Sequence, residues 1–219
     1  MNWLKETLLL LRKEIVLEWR MKYALSGILL YVLSTVFIVY TAFVRLEPPV
    51  WNTVFWIIAL FASVNAVVKS FVQENSTRQL YYYSLANPIA ILLSKIIYNA
   101  GLLLLLNVLC WIGLGIVAGN PVRDAGQFVL ALVLASVGFS ITFTFISAIA
   151  AKADNSATLM AILSFPVVIP ILLTLIKISA NALRLLNDTN LDQDVWTLVG
   201  IDLLLLGLAL VLYPFLWKD

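Results

Sequence analysis

Residues 96–118 read IIYNAGLLLLLNVLCWIGLGIVA, a run without a single charged side chain. A helix of this length crosses the hydrocarbon of a bilayer, and in lipid a lone segment satisfies its backbone hydrogen bonds only as a helix. Five more stretches have the same character: 24–44, 51–68, 128–151, 157–176 and 196–217. Within all six the one charged residue is Asp202. Hydrophobic residues make up 63% of the chain and charged residues 12%, and the mean hydropathy is +1.01, more apolar surface than a soluble core can hide. The expected fold class is an all-α membrane protein with six transmembrane helices.

So little chain lies outside these stretches that a single domain, 1–219, is expected. It divides into an N-terminal segment (1–22), a six-span bundle (24–217) and a polar connection (69–95). In the first segment Leu4, Leu8, Leu11, Ile15 and Trp19 recur at spacings of three and four, with Lys5, Arg12, Lys13 and Arg20 on the other side. We read it as an amphipathic helix lying in the membrane interface against lipid, rather than a mere topogenic flank.

Basic residues are unevenly placed. Lys5, Arg12, Lys13, Arg20, Lys22, Lys69, Arg78, Lys95, Lys152 and Lys218 fall on one side of the spans; Arg45, Arg123, Lys177 and Arg184 fall on the other. The positive-inside rule puts both termini in the cytoplasm. The N-terminal segment lacks the short apolar stretch and small-residue cleavage site of a signal peptide. A net charge of +2 argues against nucleic acid as a partner. Histidine is absent, which removes the commonest metal and heme ligand, and Cys110 is the only cysteine. No GxxxxGK[ST] loop occurs, so any ATP hydrolysis is expected in another chain.

The 69–95 connection carries most of the functional signal. Gln73 to Gln79 is wholly polar, and Ser76 with Gln79 has capping-box spacing. A short helix through Leu80, Tyr81, Tyr82, Tyr83 and Leu85 would follow, ended by Asn87-Pro88. That pair also suits the start of the next helix, with Asn87 as cap and Pro88 in its first turn. The aromatic helix either projects into the cytoplasm or lies flat on lipid.

Within the spans, Asn107 calls for an interhelical partner. Gly115 with Gly119, Ala131 with Ala135 and Thr144 with Ala148 are small-residue pairs that permit close helix packing. Pro166 and Pro170 share a face of the fifth span and predict a kink, either structural or serving as a hinge or cavity wall. Asp202 is an intramembrane acid and thus a functional candidate, unless it lies near enough to the outer interface to meet water, Lys177 or Arg184. Pro48 and Pro49 close the first span, and Trp51 is placed at the outer interface.

The run Gln79-Leu80, Pro88 and Lys95, followed by Phe165-Pro166-Val167-Val168-Ile169-Pro170, resembles the cytochrome c maturation permease family CcmB, described as the heme exporter membrane subunit. Size and span number agree along nearly the whole chain. The resemblance implies a type-two ABC exporter permease-like fold in the bacterial inner membrane, a homodimer, an ABC ATPase subunit, a neighbouring heme-handling membrane protein and a periplasmic heme chaperone. It makes residues 74–87 the coupling helix for the ATPase, with Glu74, Asn75, Arg78, Gln79, Leu80, Tyr81, Tyr82, Tyr83 and Pro88 as coupling residues. Glu74 would hold the acidic position that precedes a glycine in relatives; Asn75 follows instead, and asparagine also tolerates a left-handed turn.

No cofactor or metal is expected on this chain itself. Heme is expected as cargo of the complex, and ATP as the ligand of the partner subunit. With tyrosine, methionine and Cys110 the remaining heme-iron ligands, the expectation is that heme is held elsewhere and that ATP-driven motion here remodels the heme-loaded complex. Two other functions fit the layout: a type-two ABC exporter of a lipid, drug or glycan, and a non-transporting scaffold for heme-handling partners. A stand-alone ion-coupled transporter fits poorly, because its midplane polar residues would be mainly Asn107.

Overall fold

Helices form wherever the apolar runs predict them. The structure is a computed structural model that describes residues 3–21, 23–42, 46–72, 87–151, 156–186 and 191–216. The described helices are α1 (Trp3–Met21), α2 (Tyr23–Ala42), α3 (Pro48–Val72), α4 (Pro88–Ala118), α5 (Ala125–Ala150), α6 (Ser156–Ala182) and α7 (Leu191–Leu216). No strand occurs among the described residues. Among the described residues five helices, α3 to α7, are long and apolar enough to cross a membrane, while α2 contributes a shorter apolar stretch, Leu29–Ala42.

Helix ends follow local chemistry. Pro48 and Pro49 open α3, where a missing N–H costs nothing. Asn87 caps α4, its Oδ1 accepting from Ile89 N at 3.0 Å, with Pro88 in the first turn as the sequence predicts. That helix starts well before the expected span at 96 and runs to Ala118. Asp124 caps α5 by accepting from Gln127 N at 3.0 Å. Arg123 N and Asp124 N both donate to Ala182 O, at 3.1 and 2.9 Å, which ties the start of α5 to the end of α6.

The central helix is α5, buried along most of its length against α3, α4, α6 and α7. Ala131 and Ala135 are fully buried there, as their small-residue spacing predicts. Gly119 behaves otherwise. It ends α4 at φ +82, a backbone conformation glycine adopts without a Cβ penalty, and a Cβ there would meet nothing within 4 Å. Close helix approach on α4 falls instead to Gly113, where a Cβ would lie 3.5 Å from Val36 of α2.

Trp51 corrects a second expectation. It is not an interfacial anchor but fully buried, stacked on Phe55 with centroids 5.5 Å apart and tilted against Phe128 at 5.9 Å. An aromatic cluster on α3 and α5 offers more contact area than the headgroup layer does. Beside it, Ser179 of α6 bonds α3 twice: Trp56 Nε1 donates to its Oγ at 2.7 Å, and that Oγ lies 2.8 Å from Asn52 Oδ1. Asn52 Nδ2 in turn donates to Ile176 O at 3.1 Å.

Candidate functional site

Of the residues expected to couple to an ATPase, Glu74, Asn75, Arg78, Gln79, Leu80, Tyr81, Tyr82 and Tyr83 lie outside the described residues. Pro88 is described, and the geometry around it shows how the 69–95 connection rejoins the bundle. Asn87 N donates to Glu6 Oε1 of α1 at 3.0 Å, so α1 grips the last residue before α4. Two turns into α4, the buried Lys95 lies 3.5 Å from Glu14 Oε1, and Lys13 shares that same oxygen at 3.4 Å. Thr7 is buried between these contacts, and Leu10 packs on the cluster of Ile91, Leu92 and Ile96.

This arrangement amends the two-faced reading of α1. Leu8 and Ile15 are exposed, and so are Lys5 and Arg12. A third face (Thr7, Leu10, Glu14) docks on α4, and Leu11, expected against lipid, is only half-exposed. Sequence reasoning assigned Lys95 to the basic cytoplasmic side and missed its partner. The signal was available: a lysine flanked by Ser94 and Ile96 inside a helix needs a counter-ion when buried.

Deeper in the bundle, polar side chains join α4 to α5. Asn107 Nδ2 donates to Ser136 Oγ at 3.0 Å, the interhelical bond that Asn107 predicts. Ser140 Oγ donates to Ile96 O at 2.6 Å, and Asn99 Nδ2 donates to Thr144 Oγ1 at 2.8 Å. Ser136, Ser140 and Thr144 fall four residues apart on one face of α5, so the ladder follows from helical spacing. Thr144 therefore serves as a bonding partner as well as a small packing residue.

Asp202 overturns one expectation. It lies close to the middle of the 26-residue α7 and is buried to 5% exposure. It pairs with neither Lys177 nor Arg184: neither of its oxygens has a hydrogen-bond partner, and both cations are exposed. The carboxylate rests on α5 at Gly138, where a Cβ would lie 2.5 Å from Asp202 Oδ1. Gly138 carried no flag in the sequence, because its role appears only once α7 lies against it.

The prolines face outward. Pro166 and Pro170 are exposed on α6, with Phe165 and Ile169 beside them, while Val168, Ile171 and Leu175 form the buried face. The helix continues unbroken through both. Each proline removes the bond to the carbonyl four residues earlier, and Thr174 Oγ1 donates to Pro170 O at 2.9 Å. The site thus combines a clamped re-entry into α4, a hydrogen-bonded α4–α5 pair, a buried acid on α7 and an outward double-proline face on α6.

The apolar helices fit a multi-pass membrane protein, and the family match makes its class that of a membrane transport subunit. The chain belongs to the CcmB protein family, whose family profile matches residues 5–217. The CcmB family is the heme exporter permease of cytochrome c maturation, a membrane transport subunit rather than a catalytic enzyme. A comparison with curated proteins gives no significant match.

Proposed function

We propose that this chain is the membrane subunit of an ATP-driven complex, working as a homodimer in the bacterial inner membrane with both termini cytoplasmic. Its energy comes from a separate ABC ATPase that docks on residues 74–87. Its output is a movement that releases or remodels a heme-loaded assembly formed with a heme-handling membrane protein and a periplasmic heme chaperone. Heme is the cargo of that assembly, and its iron is held by other members.

The observation that supports this reading is the α1–α4 clamp. A docking segment transmits force only if its return to the bundle is stiff. Asn87, capping α4, is hydrogen-bonded to Glu6, and Lys95 is ion-paired to Glu14. A push on residues 74–87 therefore reaches α4 directly, and through the polar ladder it reaches α5. The outward double-proline face of α6 supplies a compliant element on the other side of the bundle.

The test is Glu74→Lys in the intact complex, with ATPase co-purification and cytochrome c maturation both measured. Loss of either supports docking through this segment. Unchanged co-purification together with unchanged maturation removes the assignment.

A further inference from the structure

The last helix meets the bundle along a narrow stripe. Its buried residues are Leu198, Asp202, Ala209 and Tyr213, on one helical face, while Leu203, Leu204, Leu208 and Val211 are exposed. Asp202 occupies the centre of that stripe, and its carboxylate lies in the notch that Gly138 leaves on α5. A Cβ on Gly138 would stand 2.5, 3.2 and 3.3 Å from Asp202 Oδ1, Cγ and Oδ2. One turn further along the same face of α5, Thr142 is buried with its hydroxyl unpartnered.

Among the described residues, the groups on the helices packed against α7 leave this carboxylate without a counter-charge. The span of α5 contains no titratable residue. On α6 the charged residue is Lys177, exposed near the outer end. On α4, Lys95 is engaged by Glu14 at the cytoplasmic end, Tyr98 follows it by three residues, and Cys110 packs in the main core with Val36 and Leu106. On α7 itself Asp192 and Asp194 open the helix and Tyr213 lies toward its far end. An ionised carboxylate with neither oxygen bonded is heavily penalised at this depth. A proton removes that charge and gives the group a donor of its own for a helix carbonyl.

We propose that Asp202 is a proton-binding site and that its proton holds α7 against α5. The neutral acid fits the Gly138 notch. The ionised group needs water or a cation, and neither enters the notch until α7 moves away. Docking of the last helix therefore follows proton occupancy. This inference stands independently of the docking of an ATPase on residues 74–87.

The experiment uses the whole complex in native membranes. Dicyclohexylcarbodiimide adds across its C=N bond to protonated carboxyls in apolar surroundings, and mass spectrometry locates the resulting acylurea. The expected result is an adduct on Asp202 that declines as the medium is made alkaline, with the same pH dependence in Glu74→Lys. As a second readout that needs no reagent access, Asp202→Asn should remove a protonated-carboxyl band from the infrared spectrum. Absence of both signals overturns the site. Protection of Asp202 by sodium or lithium at constant pH overturns the proton in favour of a metal cation.

Helix docking is read by pulsed electron resonance between spin labels at the exposed Val137 and Leu204, in a Cys110→Ser background. A longer distance should grow in at alkaline pH with Asp202 present and stay absent in Asp202→Asn. A distance that ignores pH in both overturns the coupling to α7.

Discussion

Lys95 Nζ lies 3.5 Å from Glu14 Oε1, with the lysine side chain 3% and the glutamate 16% exposed. This pair joins α1 to α4 just past the point where the 69–95 connection re-enters the bundle. Taking an acidic partner away from a buried ammonium costs more than the pair itself contributes, because the charge stays desolvated. Removing Glu14 (Glu14→Ala) should therefore cost roughly 2 kcal/mol, below the full cost for a completely buried pair since Glu14 retains some water. Thermal unfolding of the detergent-solubilised protein measures it. The exchanged pair Glu14→Lys with Lys95→Glu should recover most of the loss. If Glu14→Ala unfolds at the unchanged temperature, the clamp carries no load.

Ser179 bonds both Trp56 and Asn52, so its loss strands donors and acceptors rather than one bond. Replacing it by alanine leaves the buried Trp56 Nε1 unsatisfied, with an expected cost of about 1–3 kcal/mol. A double-mutant cycle with Trp56→Phe should recover part of that cost, because the indole donor is then gone as well. Additive losses in the cycle would mean that the two residues do not act through one bond.

The α4–α5 ladder should respond more gently. Interhelical hydrogen bonds in membrane proteins average well under the value expected for an apolar medium, so Ser136→Ala should lose about 0.6 kcal/mol. Asn107→Leu removes the other side of the same bond and also the buried Oδ1 that has no partner. It should therefore match or exceed the stability of Ser136→Ala. A clearly larger loss in Asn107→Leu would assign that carbonyl oxygen a role in holding the fold.

At Gly138 a single methyl group decides whether Asp202 fits. Gly138→Ala sets a Cβ against a carboxylate oxygen and should destabilise by roughly 1–3 kcal/mol, the usual range for overpacking. Gly138→Ala combined with Asp202→Ala should be less destabilised than Gly138→Ala alone, since the clash has gone. Unfolding midpoints of the three variants decide it; a double variant weaker than both singles would place the strain elsewhere.

Replacing Pro166 and Pro170 by alanine restores two helix hydrogen bonds on an exposed face, so stability should hold or rise. Cytochrome c maturation should fall in the same variant, because a stiffened α6 no longer yields. Unimpaired maturation by the stiffened helix would leave the prolines a structural role only.

The apolar runs, the Asn87-Pro88 start of α4 and the need of Asn107 for a partner were all legible in the sequence. Each depends on the backbone and on solvent, and those demands act on one segment at a time. Lipid requires a helix wherever about twenty apolar residues follow one another, whatever the neighbours are. Which residues meet was not legible. Glu14 and Lys95 are far apart in the chain, and either could have faced water. Trp51 went to the core because Phe55 and Phe128 were there to receive it. Asp202 and Gly138 acquire meaning only as a pair, since a notch has no sequence pattern until a second helix fills it. Segment chemistry thus settles where the helices are, whereas close packing between them settles which polar groups find partners and which, like Asp202, do not.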